Sequence, residues 1–169
     1  AAAVEAARRV DADVIASPPA GGWPPRALEE LLALLQVPGT AVAAARGVAR
    51  GRVASSGWAV DATGGVFDPW SGLAAADPGY LNLALVPGPR ALPGGAGWAA
   101  WRDDLVAAWE AASDAPEPWR LAVGTSRLAL ETVVSPEAST QCSAVPPPPA
   151  PPAGLPLYRT RWAAELGLL

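Results

Sequence analysis

The sequence predicts an α/β domain in which a mixed sheet is flanked by helices. Short apolar runs of strand character, at 14–16, 40–45, 81–86 and 127–134, alternate with stretches of helical periodicity. Pro/Gly clusters punctuate nearly every boundary between them. The chain has 169 residues and is 51% hydrophobic, which is enough to bury a core of its own. A single domain over 1–169 follows, because the one linker candidate, the Pro-rich stretch 145–156, lies too near the end to separate two domains.

The elements follow in order. Residues 1–10 carry a short Ala/Arg helix signal, and Val14, Ile15 and Ala16 read as a short buried strand after Asp11-Ala12-Asp13. A Pro/Gly loop holding Trp23 leads into a helix over 26–36. There Leu28, Leu31, Leu32 and Leu35 fall at i, i+3, i+4 and i+7 and are expected to face the sheet. Pro38-Gly39 ends this helix. Residues 40–45 read as a buried strand, and 52–60 with 65–67 as a hairpin turning at 61–64. Loops at 68–80 and 87–97 flank a strand-like run at 81–86. Residues 98–112 read as a second helix, with Trp98, Trp101, Leu105, Ala108 and Trp109 on one face. A strand is expected at 127–134, an extended surface strap at 145–156 and a short closing helix at 157–169.

Composition excludes several kinds of chemistry. Twelve basic and 16 acidic residues leave a net charge of −4, against a nucleic-acid partner. No apolar run is long enough for a transmembrane segment, and no signal segment opens the chain, so a cytoplasmic location is expected. There is no His, which removes Ser/His/Asp triads and His-ligated zinc. Cys142 is alone and reads as an inert thiol. Gly94-Gly95-Ala96-Gly97 offers backbone N–H groups to an anion, but with no Lys in the chain it is no P-loop. Arginine is the sole basic residue type and Ala, Pro and Gly dominate, the mark of a GC-rich, bacterial coding sequence. No Met is present, so the initiator was removed or the sequence is a piece of a longer chain.

Chemistry is left to carboxylates, Arg, hydroxyls and Trp. Asp11-Ala12-Asp13 places two hard oxygen ligands two residues apart, as either a Mn²⁺ or Mg²⁺ pair or a solvated strand start. Ser113 and Asp114 read as the end of a helix that opens a Pro-rich turn. Trp101 offers a face on which a sugar ring can stack, or else part of a core stripe, and Arg102 reads as part of a solvated face.

Trp23 before LEELLALL, then VPGTAVAAARGV and GRVASSGWAVDATGGVF, come in sequence. AADPGYLNLALV, GGAGWAAWRDDLVAA and DAPEPWRLAVGTSRLALETVVSPEA follow. In this order they resemble the C-terminal two-thirds of the family 2 glycosyltransferases, which have a GT-A fold. The resemblance implies a truncated or degenerate GT-A-like domain that transfers a sugar from a nucleotide sugar to the hydroxyl of a glycan acceptor. It places the base at Asp114 and the acceptor segment around Trp101 and Arg102. The family's nucleotide-binding βαβ units have no counterpart here, so a missing N-terminal half or a protein partner would supply them. Ser17-Pro18-Pro19 stands where the family's metal motif follows its strand, and Pro116 where its second acidic residue stands. A non-catalytic interaction or scaffold module is the alternative.

Overall fold

The computed structural model describes residues 2–61, 63–143 and 146–151. Helix α1 (Ala2–Ala7) precedes strand β1 (Val14–Ser17), and helix α2 (Ala27–Leu35) precedes β2 (Thr40–Ala49). A tight turn with Arg50 and Gly51 at positive φ reverses β2 into β3 (Arg52–Ser55). β4 (Ala59–Val60) and β5 (Val66–Phe67) form a separate small hairpin. β6 (Gly88–Arg90), β7 (Trp98–Trp101), α3 (Arg102–Ala111), α4 (Arg120–Arg127) and β8 (Glu131–Gln141) complete the order.

The main sheet runs β1-β7-β2-β8-β6, with β3 paired to β2. It is mixed: β2 and β8 are parallel, while β7 is antiparallel to both β1 and β2. The fold is therefore the α/β architecture the sequence predicts. β2 is the central strand and is buried on both faces, which is why it reads as an unbroken apolar run instead of an alternating one. Its alanines let helices approach both sides. On one side Ala27, Leu31 and Leu35 of α2 cover Ala43, Ala45 and Ala99. On the other, Val4 and Ala7 of α1 and Leu105 of α3 cover Val42 and Ala100. Among the described residues β1 pairs only with β7 and β6 only with β8, so these two strands end the main strand order, while β3 pairs only with the end of β2. No helix among the described residues is long and apolar enough to cross a membrane.

The structure corrects the sequence reading at several points. Residues 98–101 form a strand and not the start of a helix. WAAW fits both periods, and insertion between β1 and β2 selects period two, sending Trp98 and Trp101 to opposite faces. Residues 81–85 belong to a 3₁₀ turn (Tyr80–Leu85) in which Leu81 and Asn82 take positive φ, and Val86 follows it in extended conformation; among the described residues no strand pairs with them. Arg127 closes α4, whose sequence RLAVGTSR is rich in weak helix formers, and the strand begins only at Glu131. The run 52–60 is divided between two sheets, and part of the loop 87–97 is β6. β1 is an edge strand, half-buried and not buried. On α2 the buried positions are Ala27, Leu31 and Leu35, whereas Leu32 is 37% exposed. Residues 146–151 lie without regular structure and largely exposed, as a proline run without ladder N–H groups must. The expected helix at 157–169 and the remainder of the strap lie outside the described residues.

Candidate functional site

Strands β1, β2 and β8 run the same way, so their carboxyl ends share one end of the sheet. In open α/β sheets ligands gather at that end. Of the polar residues singled out from the sequence, Asp11, Asp13 and Arg102 lie at the other one. Asp11 and Asp13 are exposed in the bend that precedes β1. Arg102 joins them there: its backbone N–H donates to the Asp13 carbonyl at 2.8 Å, and its Nη1 lies 3.9 Å from Asp11 Oδ1. Its Nε donates to Asp103 Oδ1 at 2.9 Å, and these carboxylates raise its pKa. No group of three or more Asp, Glu, Cys or His among the described residues is arranged to hold a metal ion.

Trp101, next in sequence to Arg102, points to the α2 face. Its Nε1–H donates to the Leu35 carbonyl at 2.8 Å, which clamps the end of α2 to β7. Asp114 lies beyond the far end of α3, about 14 Å of helix from Arg102. Both its oxygens accept from Arg127, at 2.6 and 3.0 Å, and Arg127 Nη1 also donates to the Ala111 carbonyl. The guanidinium holds the Asp114 carboxyl down at about 2. Such a carboxylate accepts a proton reluctantly at neutral pH.

This ion pair makes a pH prediction. A depressed pKa means that the contribution to stability is complete above the unfolded carboxylate range, near ~4. It fades as pH falls through about 2. Asp114→Asn is expected to lower the denaturant midpoint at pH 7, with the gap to the unaltered chain closing toward pH 2. A gap that stays constant from pH 7 to pH 2 refutes the assignment.

The carboxyl end is built differently. Gly97 has φ +92, and a Cβ there would meet the Trp23 ring at 2.7 Å and the Pro19 ring at 2.8 Å. Only glycine fits, and the loop after β1 thereby seats on the start of β7. Residues 136–138 bulge out of β8, because Ala45 pairs with Ser135 and the next residue, Arg46, pairs with Ser139. Beside this bulge the buried Arg46 donates to Ser139 Oγ at 3.2 Å and to the Ala84 carbonyl at 3.3 Å. Burial lowers its pKa, with Glu137 opposing. A second buried network ties Asp68 to Ser56 and Arg90. Asp68 accepts from the Ser56 N–H at 2.7 Å and from its hydroxyl. Arg90 Nε donates to the Ser56 carbonyl at 2.9 Å, and burial brings its pKa down to about 10.

Between the sheet and α3 lies a cleft of about 360 Å³, walled by Trp58, Trp98 and Trp109 and floored by Leu105. That volume lies within the ~300–1,000 Å³ usual for small-ligand sites. Trp98 pairs in register with Ser17, the last residue of β1, and so shares its sheet face. The cleft therefore borders the carboxyl end of β1. Arg120 Cζ stands 4.6 Å above the Trp109 ring, and its Nε donates to the Trp109 carbonyl at 2.7 Å, which fixes that wall. In the sequence Trp98 and Trp109 read as one helix face and Trp58 as part of a hairpin. The shared wall was hidden by the helix assignment of 98–101; the count of eight Trp was the available signal. No protein-family model matches the chain, and neither a curated protein nor a solved structure matches it.

Proposed function

We propose that this chain is the acceptor-binding part of a glycosyltransferase of the family 2, GT-A kind, with the nucleotide-sugar half supplied elsewhere. The observation that carries this reading is the Trp-walled cleft beside the end of β1. Trp faces stack against the C–H faces of sugar rings, and the resemblance puts the donor's metal motif at Ser17-Pro18-Pro19, one register pair from Trp98. The element order supports it too. β1, a Trp loop, the Leu-rich α2, β2 and the β4–β5 hairpin come in the family's order, and α3 precedes a last strand carrying Pro136-Glu137-Ala138, with β6, β7 and α4 intervening.

The test is a titration of neutral oligosaccharides, followed by Trp fluorescence and calorimetry. Binding is expected near millimolar, and Trp98→Ala is expected to weaken it at least tenfold, or ~1.4 kcal/mol. Trp70→Ala, outside the cleft, serves as the control. Saccharides that bind neither chain, or both equally, overturn the reading.

Donor binding by this chain alone is expected to be weaker than ~1 mM. Proline supplies no side-chain oxygen at the metal position, and Mn²⁺ or Mg²⁺ is expected to add nothing. A metal-dependent micromolar signal with a nucleotide sugar, lost in Asp13→Asn, makes Asp11 and Asp13 a working metal pair instead. The Asp114–Arg127 ion pair favours the second reading, a non-catalytic GT-A-like interaction or scaffold module. An upstream reading frame encoding two βαβ units favours the transferase.

A further inference from the structure

The cleft has one wall that is not part of the folded layers. Pro146 and Pro148 line it together with the tryptophans, and Trp119 Nε1–H donates to the Pro149 carbonyl at 2.8 Å. Trp119 is 1% exposed, so its N–H is the sole polar atom of a buried side chain and Pro149 is what satisfies it.

Residues 146–149 are four consecutive prolines. Proline fixes its own φ and drives the residue before it into extended backbone, so such a run holds a polyproline II conformation before it meets any partner. Its surface is flat rings and carbonyl oxygens without N–H groups. What recognises that surface is aromatic walls for the rings and an indole N–H for a carbonyl. The cleft presents Trp58, Trp98 and Trp109 as walls. Trp119, packed in one cluster with Trp58 and next in sequence to the cleft residue Pro118, supplies the donor from beside it.

We propose that the Trp-walled cleft is a polyproline-binding site, and that residues 146–149 occupy its rim in cis as a removable plug. Tethering gives the run an effective concentration on the order of millimolar, so even a weak intrinsic affinity keeps the site occupied. Pro146 and Pro149 are exposed while Trp119 is buried, which leaves the run free to lift without unfolding the layers beneath. That lifting governs sugar access rests on the acceptor reading above; occupancy of the cleft by proline does not.

The test uses the full chain and a variant with Pro146→Gly, Pro147→Gly, Pro148→Gly and Pro149→Gly. The probe is a synthetic hexaproline peptide, followed by calorimetry. The four-glycine variant is expected to bind hexaproline at least tenfold more tightly than the unaltered chain, because the competing run is gone. Adding Trp58→Ala to it is expected to remove the binding. Independently, the Trp119 indole N–H is expected to exchange with solvent at least tenfold faster once the prolines are replaced. The milder double variant Pro146→Ala with Pro148→Ala provides the same exchange readout should four glycines prevent folding. Equal hexaproline binding by both chains, or no binding by the glycine variant, overturns the proposal. So does an indole exchange rate that ignores the substitutions. None of these readouts involves a saccharide, so failure here leaves the acceptor reading standing, and the reverse.

Discussion

Gly124→Ala is expected to destabilise the chain by about 3 kcal/mol or more, although helix propensity alone predicts a gain. Glycine inside a helix is worth ~1 kcal/mol less than alanine. At Gly124, however, α4 lies directly on α3. A Cβ placed there would stand 1.7 Å from the Ala108 carbonyl oxygen and 2.5 Å from its carbon. These are backbone atoms of a fully buried residue, so no side chain can turn aside. The helices must separate, and the opened contact includes Val123 and Ala112 of a small cluster. Overpacking of this kind costs ~1–3 kcal/mol where a core can adjust, and more where it cannot. Denaturant midpoints measure the outcome, and a variant as stable as the unaltered chain shows that α3 and α4 do not meet at this glycine.

Leu31→Ala is expected to cost roughly 2–5 kcal/mol, and Leu32→Ala less than about 1 kcal/mol. The two leucines are neighbours on α2, yet Leu31 is 0% exposed and Leu32 37%. Leu31 inserts between the alanines of β2 and β7, which are too small to collapse into the space it would leave. At ~2–4 °C of melting temperature per kcal/mol for a chain of this size, the pair separates clearly in thermal melts. Similar losses for both variants mean that α2 is rotated about its axis relative to the orientation described.

These leucines show what could be read in the sequence. The existence of α2, its i, i+3, i+4, i+7 stripe and the apolar run of β2 were legible, because each is local and strongly patterned. The periodicity extends the stripe one residue too far, to Leu32, since period alone does not say where a helix axis points. Trp98 to Trp101 satisfied a helical spacing and a strand alternation together, and only the gap between β1 and β2 decided it. α4 was illegible because its helicity comes from contact with α3 at Gly124, not from its own residues. The site was the hardest part. Asp114 carries a role by position, but its partner Arg127 reads in the sequence as the start of a strand. The three tryptophans of the cleft come from segments up to 51 positions apart, and nothing in their sequence spacing joins them.

The two borders of the main sheet differ in how they meet a neighbouring molecule. β6 holds Pro89 at its centre, which has no N–H to offer and cannot extend a ladder. β1 reads Val-Ile-Ala-Ser, without proline or charge, and among the described residues only β7 pairs with it. Its outward row of donors and acceptors is a ready template for another extended segment. Colloidal behaviour of the isolated chain should therefore be one-sided, with association rising with concentration through β1. A charged residue at the exposed Ala16 would suppress it, while the same change along β6 would do little.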